Sequence, residues 1–238
     1  MITLIQFPCS KKEKIANFSP FCLKVETYLR ATKTPFQIET NKGDPKNSSP
    51  NGKLPFVKLQ DGNLIADSQL IIEHFEKTNS LDSKFSDTQR ALGLAAQRLA
   101  EDHLMWTVLY QRWIDQDEWP HSRQVFFKGV PKILVKPISS LIQRRTIKMA
   151  HAQGVGRHTE ENIYRFADQD FKALSDLLGE KEFFVGDSIS THDMALFGLL
   201  ANCLHAPVNP KLQALVKKYD NLTKFVERIN KEYYPERY

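Results

Sequence analysis

Ser19-Pro20 stands at the start of a helical pattern, with Cys22 three residues after the serine. A hydroxyl at a helix N-cap lies beside unpaired main-chain amides, at the positive end of the helix dipole. An anion placed there is stabilised without a charged side chain. A thiol of ordinary pKa, about 8.5, needs to fall by roughly two units, or about 2.7 kcal/mol, to be mostly thiolate near neutral pH. A hydroxyl hydrogen bond plus the dipole supplies an energy of that order. Ser19 is therefore the candidate catalytic residue, an activator of a bound thiol. Plain capping is the competing role of the same residue type. Cys22 is a secondary thiol candidate, because the dipole acts on it too. Inert burial competes with that role.

A second run is Gly52-Lys53-Leu54-Pro55-Phe56-Val57, followed by a hairpin and then Asp67-Ser68. Leu54-Pro55 is a candidate cis bond, although trans is the commoner state. In the cis form the Leu54 amide and carbonyl turn outward and can pair with an extended ligand. Asp67-Ser68, at the next helix start, then suits a charged ligand end. The carboxylate takes an ammonium, and the hydroxyl and helix amides take a carboxylate. Further along, Trp106, Tyr110 and Trp113 recur at helical spacing and either line an apolar pocket or form ordinary core. Arg157 follows Gly154-Val155-Gly156 and is a candidate carboxylate binder at a cleft mouth. Ser190 to Asp193 reads as a capping box, with Ile189 able to staple to Met194, a device for folding.

These residues need elements to position them. Residues 2–7 are β-rich and almost continuously apolar, like a buried strand. A polar loop over 10–17 leads to the helix, whose apolar positions are Phe21, Val25, Tyr28 and Leu29. Pro35 ends it, and 36–40 reads as a short strand. Residues 41–51 are a loop. Residues 54–59 and 64–66 form a hairpin around Asp61-Gly62. Ser68 then begins a helix with Leu70, Ile71, Ile72 and Phe75 on its apolar face. The order is βαβ, then ββα, and the first unit needs a parallel pair with a helical crossover. Residues 78–87 read as an interdomain linker. Everything after it is helical in pattern: 90–119 as one helix or two, 159–178, 193–205, and one or two more over 212–233. Thr159 can cap the second of these, with Asn162 at its third position.

The 238 residues suffice for one large domain or two modest ones. Apolar content of 41% and charged content of 26% are those of an ordinary globular protein. The net charge of +5 suits acidic small molecules or an anionic surface but is too weak to argue for nucleic acid. Three cysteines without metal-ligand spacing imply neither a disulfide framework nor a zinc site, and a reducing compartment fits. No signal-peptide pattern and no membrane-spanning apolar run is present.

Between Trp119 and Thr159 there is no Asp or Glu, while eight Lys and Arg are interleaved with Ile, Leu and Val. Such a segment can lie on an anionic membrane surface, form a positive rim that draws in an acidic ligand, or be a solvated helix face. Pro131 and Pro137 argue against one unbroken helix here.

Taken in order, these runs resemble the glutathione S-transferase superfamily over nearly the whole chain. Ser19-Pro20-Phe21 is similar to the start of transferases that use a serine to activate glutathione. Gly52 to Pro55 resembles the cis-proline loop, and Asp67-Ser68 the acidic-Ser pair that holds the γ-glutamyl group, where Glu-Ser is more usual. The wording is most similar to the failed axon connections and metaxin branch, in Gln6-Phe7-Pro8, residues 19–30, residues 52–56, and Gly156 to Thr159. The resemblance implies an α/β plus all-α chain. A thioredoxin-like βαβββα domain over 1–78 would precede an all-helical domain over 88–238. It implies a cytoplasmic homodimer with glutathione as co-substrate or ligand and no metal. Ser19 would donate to the sulfur, and Lys53, Leu54, Pro55, Asp67 and Ser68 would hold the peptide. A small apolar electrophile would lie near Trp106, Tyr110, Trp113 and Arg157. The same branch implies an alternative, a non-catalytic adaptor at a membrane surface or in protein sorting.

Overall fold

A computed structural model describes residues 1–9, 13–78 and 80–237. Ser10, Lys11 and Lys12 of the predicted polar loop, Asn79 of the predicted linker, and Tyr238 lie outside the described residues. Strands β1 (Ile2–Gln6), β2 (Phe36–Thr40), β3 (Phe56–Lys58) and β4 (Leu64–Ala66) form one sheet in the order β2-β1-β3-β4. β1 and β2 are parallel, with Ile2 opposite Phe36. Helix α1 (Pro20–Ala31) is the crossover that a parallel pair requires. β3 is antiparallel to β1, Ile5 facing Phe56, and β4 is antiparallel to β3, Phe56 facing Ala66. Gly62, at φ +91°, makes the tight turn between them possible. Helix α2 (Ser68–Glu76) follows. This is a thioredoxin-like unit, and the rest of the chain is helical.

Helix α3 (Asp87–Arg98) runs through a π-helical turn (Leu99–Leu104) directly into α4 (Met105–Trp113). Then come α5 (Trp119–Phe126), α6 (Lys132–Gln153), α7 (Glu160–Leu178), α8 (Thr191–His205), α9 (Pro210–Val216) and α10 (Asp220–Tyr233). Thr159 caps α7, its hydroxyl accepting from the Asn162 amide. Ser190 and Asp193 form the expected capping box of α8. The Thr191 amide also donates to Asp82 Oδ1 at 3.0 Å, so the segment after α2 is tied to the start of α8.

α8 is buried along almost its whole length, as an apolar-all-round helix must be. It crosses α1 at Gly198, where a Cβ would stand 2.5 Å from the Pro20 carbonyl oxygen. α1 is therefore enclosed by sheet on one side and helices on the other. Val25, Tyr28 and Leu29 enter the core as their spacing predicts, and Phe21 is half-buried. Lys24, Glu26 and Thr27 are buried as well, each with a partner: Glu101, Gln6 and the Tyr234 hydroxyl, all at 2.9 Å.

Three expectations change. The strand predicted over 54–59 covers only Phe56–Lys58, because Pro55 has no amide for the ladder. Leu70 is exposed, while Ile71 and Ile72 carry the buried face of α2. The 119–159 segment is not one unbroken helix, since α5 ends at Phe126 and α6 starts after Pro131, but Pro137 does not break α6, which runs from Lys132 to Gln153 through it. The missing amide would have paired with the carbonyl of Ile133, in an exposed first turn where water can serve that oxygen.

Candidate functional site

The registers bring three points to one edge of the sheet. They are the C-terminal end of β1, the N-terminal end of β3 and the C-terminal end of β4. Leu54-Pro55 thus lies between the loop that carries β1 on to Ser19 and the step from Ala66 to Asp67. Side chains confirm the closeness: Ile5, Cys22, Leu54 and Phe56 pack as one buried group, with Ala66 against it. The first turn of α1, the Leu54 loop and the end of β4 share a single apolar floor.

Ser19 is the N-cap of α1. Its backbone is extended, and its Oγ accepts from the Cys22 amide at 3.4 Å. The Ser19 amide donates to Asn17 Oδ1 at 2.9 Å, and Asn17 Nδ2 donates to the Phe7 carbonyl at 2.8 Å. Cys22 is a packing residue. It is fully buried, and burial pushes its thiol up to about 12, against hydrogen bonds with Ser19 and the Phe7 main chain that pull it down. No useful thiolate fraction forms there at neutral pH.

The Leu54-Pro55 bond is cis. Lys53 is exposed, its amide held by Asn51 Oδ1 at 3.0 Å, and its amino group has no partner among the described residues. Asp67, not Ser68, is the N-cap of α2: its Oδ1 accepts from the Gln69 amide at 2.8 Å and the Leu70 amide at 3.4 Å. Asp67 has φ +83°, a conformation costing a non-glycine residue about 1–3 kcal/mol and concentrated at functional sites. Ser68 is the first helical residue and is buried. Behind them, Gln69 Oε1 accepts from buried Lys24 at 3.1 Å and from Gln97 at 3.0 Å, and Glu101 balances the lysine charge.

All three predicted pocket aromatics lie on α4, but they do not form one stripe. Trp113 stacks on Phe126 with centroids 5.3 Å apart, and Trp119 is 5.4 Å away. Phe126 in turn meets Phe18, the residue before Ser19, edge-on at 6.4 Å. Tyr110 packs edge-on to Tyr164 instead. Trp106 is half-buried and takes part in neither group. Arg157 turns back on α6, its Nε donating to the His151 carbonyl at 2.9 Å, which caps that helix end.

Sequence reasoning missed the group that fixes the approach to Ser19. Arg112 is buried and donates to the Phe18 carbonyl at 2.7 Å, Asn202 Oδ1 at 2.9 Å and Asn209 Oδ1 at 3.0 Å. Asn202 Nδ2 also reaches the Asn17 carbonyl at 3.2 Å. Burial lowers the Arg112 guanidinium to about 10, still charged at neutral pH. No distance in the sequence connects Phe18, Arg112, Asn202 and Asn209. The Phe18 cluster had a faint signal, since Trp119 and Phe126 are seven apart and so share a helix face. The carboxylates of Asp115, Asp117 and Glu160 also converge, but Lys211 Nζ stands among them at 2.8, 3.5 and 2.6 Å, so an ammonium occupies the place a metal would take.

Residues 20–118 match the family model "Glutathione S-transferase N-terminal domain", and residues 167–229 match "Glutathione S-transferase, C-terminal domain". The isoprene-epoxide–glutathione S-transferase of Rhodococcus sp. (strain AD45) is 33% identical over 92% of this chain and 94% of its own length. Failed axon connections of Drosophila melanogaster is 30% identical over 99% of this chain but only 59% of its own. Metaxin-1 of Mus musculus is 30% identical over 90% of this chain and 69% of its own. Among solved structures, a glutathione S-transferase from Methylobacterium radiotolerans in complex with glutathione sulfonate superposes with a TM-score of 0.60. Its identity is 18%, over 99% of this chain and 92% of that one, a likeness of fold.

Proposed function

The chain belongs to the glutathione S-transferase family, and from that premise we propose that it binds glutathione along Leu54 and transfers the thiolate to a small apolar electrophile. One observation carries this reading: Ser19 caps α1 while Cys22, in its first turn, packs against Leu54. A peptide paired with the Leu54 main chain would then have its cysteine beside the Ser19 hydroxyl. Its ammonium end would meet exposed Asp67, its glutamyl carboxylate the α2 amides and Ser68, and its glycyl carboxylate Lys53.

Ser19 has one proton to give, and the Cys22 amide already occupies a lone pair of its oxygen. Donation to the ligand sulfur completes its bonding and favours the thiolate. The field of the charged Arg112, one peptide away, acts in the same sense. The thiolate attacks an electrophilic carbon on the Phe18–Phe126–Trp113 side. With an epoxide, the class named for the Rhodococcus relative, the C–S bond forms as a C–O bond breaks. The thiol proton, released to solvent, is replaced on the opened alkoxide. The same reading takes the protein to be a two-fold dimer in the reducing cytoplasm.

Calorimetric titration with reduced glutathione tests the site, with Ser68→Ala alongside. Saturable binding, weakened in the variant, is expected. Ser19→Ala should retain binding within a few-fold and lose about 10²-fold in turnover of a generic epoxide. Absence of glutathione binding, or full turnover by Ser19→Ala, would overturn the reading.

A further inference from the structure

α6 presents its side chains the wrong way round for an ordinary surface helix. The residues it buries are small: Ser139, Thr146 and Ala150. Its large apolar residues face out, with Ile133 85% and Leu141 71% exposed. Of the fifteen large hydrophobic residues exposed among the described residues, seven lie on this one helix. At 100° per residue, Leu134, Ile138, Leu141, Ile142 and Met149 share an arc of about 100°. Lys148 and Arg144 flank one edge of that arc, and Arg145 lies within it. None of the five basic residues of α6 has an ion-pair partner among the described residues, and no acidic residue occurs from 119 to 159.

We propose that this face of α6 docks on an anionic lipid surface. An amphipathic helix of this kind lies in the interface plane, its apolar arc about 5–10 Å deep among headgroups and acyl chains. Its lysines and arginines reach up to the lipid phosphates. Charge decides against a second copy of this chain as the occupant. A two-fold contact sets a face against itself, and here it would oppose Arg144, Arg145 and Lys148 to their own copies with no acidic residue of α6 to separate them. Charge also gives the orientation, since the face that offers apolar side chains carries Arg144, Arg145 and Lys148, none of them ion-paired among the described residues, to hold it at a phosphate plane. The docking does not depend on the thiol site, which lies at the sheet edge.

The test is flotation of the whole protein with vesicles of phosphatidylcholine, with and without phosphatidylserine, at low and high salt. Binding is expected only with phosphatidylserine and is expected to fall sharply in high salt. Arg144→Gln with Arg145→Gln should weaken it at least tenfold, each charge being worth about fivefold. Leu134→Ser with Leu141→Ser should weaken it to a similar degree. All four residues are exposed, so the variants should keep the parent's melting temperature and its glutathione titration. No binding to phosphatidylserine vesicles overturns the proposal. So does equal binding to neutral vesicles, or binding indifferent to the Leu134 and Leu141 pair. Self-association that Leu141→Glu abolishes, without lipid binding, would assign the face to a second copy. Capture by an acidic polypeptide alone would assign it to a protein.

Discussion

Arg112 Nη1 donates to the carbonyl of Phe18 at 2.7 Å, and the peptide unit so held is the one that leads into Ser19. A residue of α4 thereby fixes the approach to the N-cap of α1, through Phe18, 94 positions earlier in the chain. The guanidinium has only neutral acceptors around it: this carbonyl and two asparagine oxygens. Arg112→Met strands buried acceptors at about 1–3 kcal/mol each. We expect a loss of about 3 kcal/mol, seen as a fall of roughly 6–12 °C in melting temperature. Turnover at saturating glutathione should fall as well, since Ser19 loses its anchor. A variant with unchanged melting and kinetics would remove Arg112 from this role.

Asp67 separates function from stability. Glycine adopts φ +83° without strain and is a tolerable N-cap, costing a few tenths of a kcal/mol relative to Asp. Asp67→Gly should therefore melt within a few degrees of the parent. It should bind glutathione about tenfold more weakly, for want of a partner to the ammonium. Calorimetry and thermal melts on one preparation decide it. Equal affinity would free Asp67 of any ligand role.

At Gly198 the contact is steric. A methyl group there meets the Pro20 oxygen at 2.5 Å, a main-chain atom that cannot swing aside. Gly198→Ala should cost about 1–3 kcal/mol by overpacking, and Gly198→Val more. Because Pro20 is the residue after Ser19, turnover should decline alongside denaturation midpoint. A neutral Gly198→Ala would show that α1 and α8 are free to part.

His192 predicts a pH dependence. Burial holds its imidazole below its ordinary range, and Nδ1 faces Gln97 Oε1 at 2.8 Å. Asp82 and Glu101 pull the other way, and Lys24 and Arg98 reinforce the burial. Below the unfolded value near 6.5, the unfolded chain takes a proton that the folded chain refuses. This part of the stability is complete above that value and is lost as pH falls through it. His192→Gln removes the titration. Between about pH 7.5 and about pH 5.5, the parent should lose more stability than the variant in denaturant melts. Superimposed profiles would exclude the imidazole as the source.

The order of strands and helices in the N-terminal unit was legible because each element announces itself locally. Pro35 stops α1, Asp61-Gly62 closes the hairpin, and a β-rich apolar run marks β1. Ser19, Ser190 and Thr159 were legible as caps for the same reason, since a cap acts within four residues of itself. Pro137 misled, because its cost depends on whether the orphaned carbonyl sees water, which is a matter of exposure and not of spacing. The aromatics on α4 stay open between pocket and core in the sequence, because spacing does not show what each ring packs against. Trp113 and Tyr110 are near neighbours on one helix but pack toward different partners, on α5 and α7.

The sequence by itself determined the order of strands and helices in the N-terminal unit, that Ser19 heads one helix and Asp67-Ser68 another, and that a basic, acid-free segment lies between 119 and 159. Only the tertiary structure decided that Cys22 is sealed, that Arg112 and Asn202 hold the approach to Ser19, and that α6 turns its large apolar residues outward. The reason is range. Caps and turns are hydrogen bonds between near neighbours and leave a mark in the local sequence. Burial, and the partners a buried group finds, are set by segments that meet only after the chain has closed on itself.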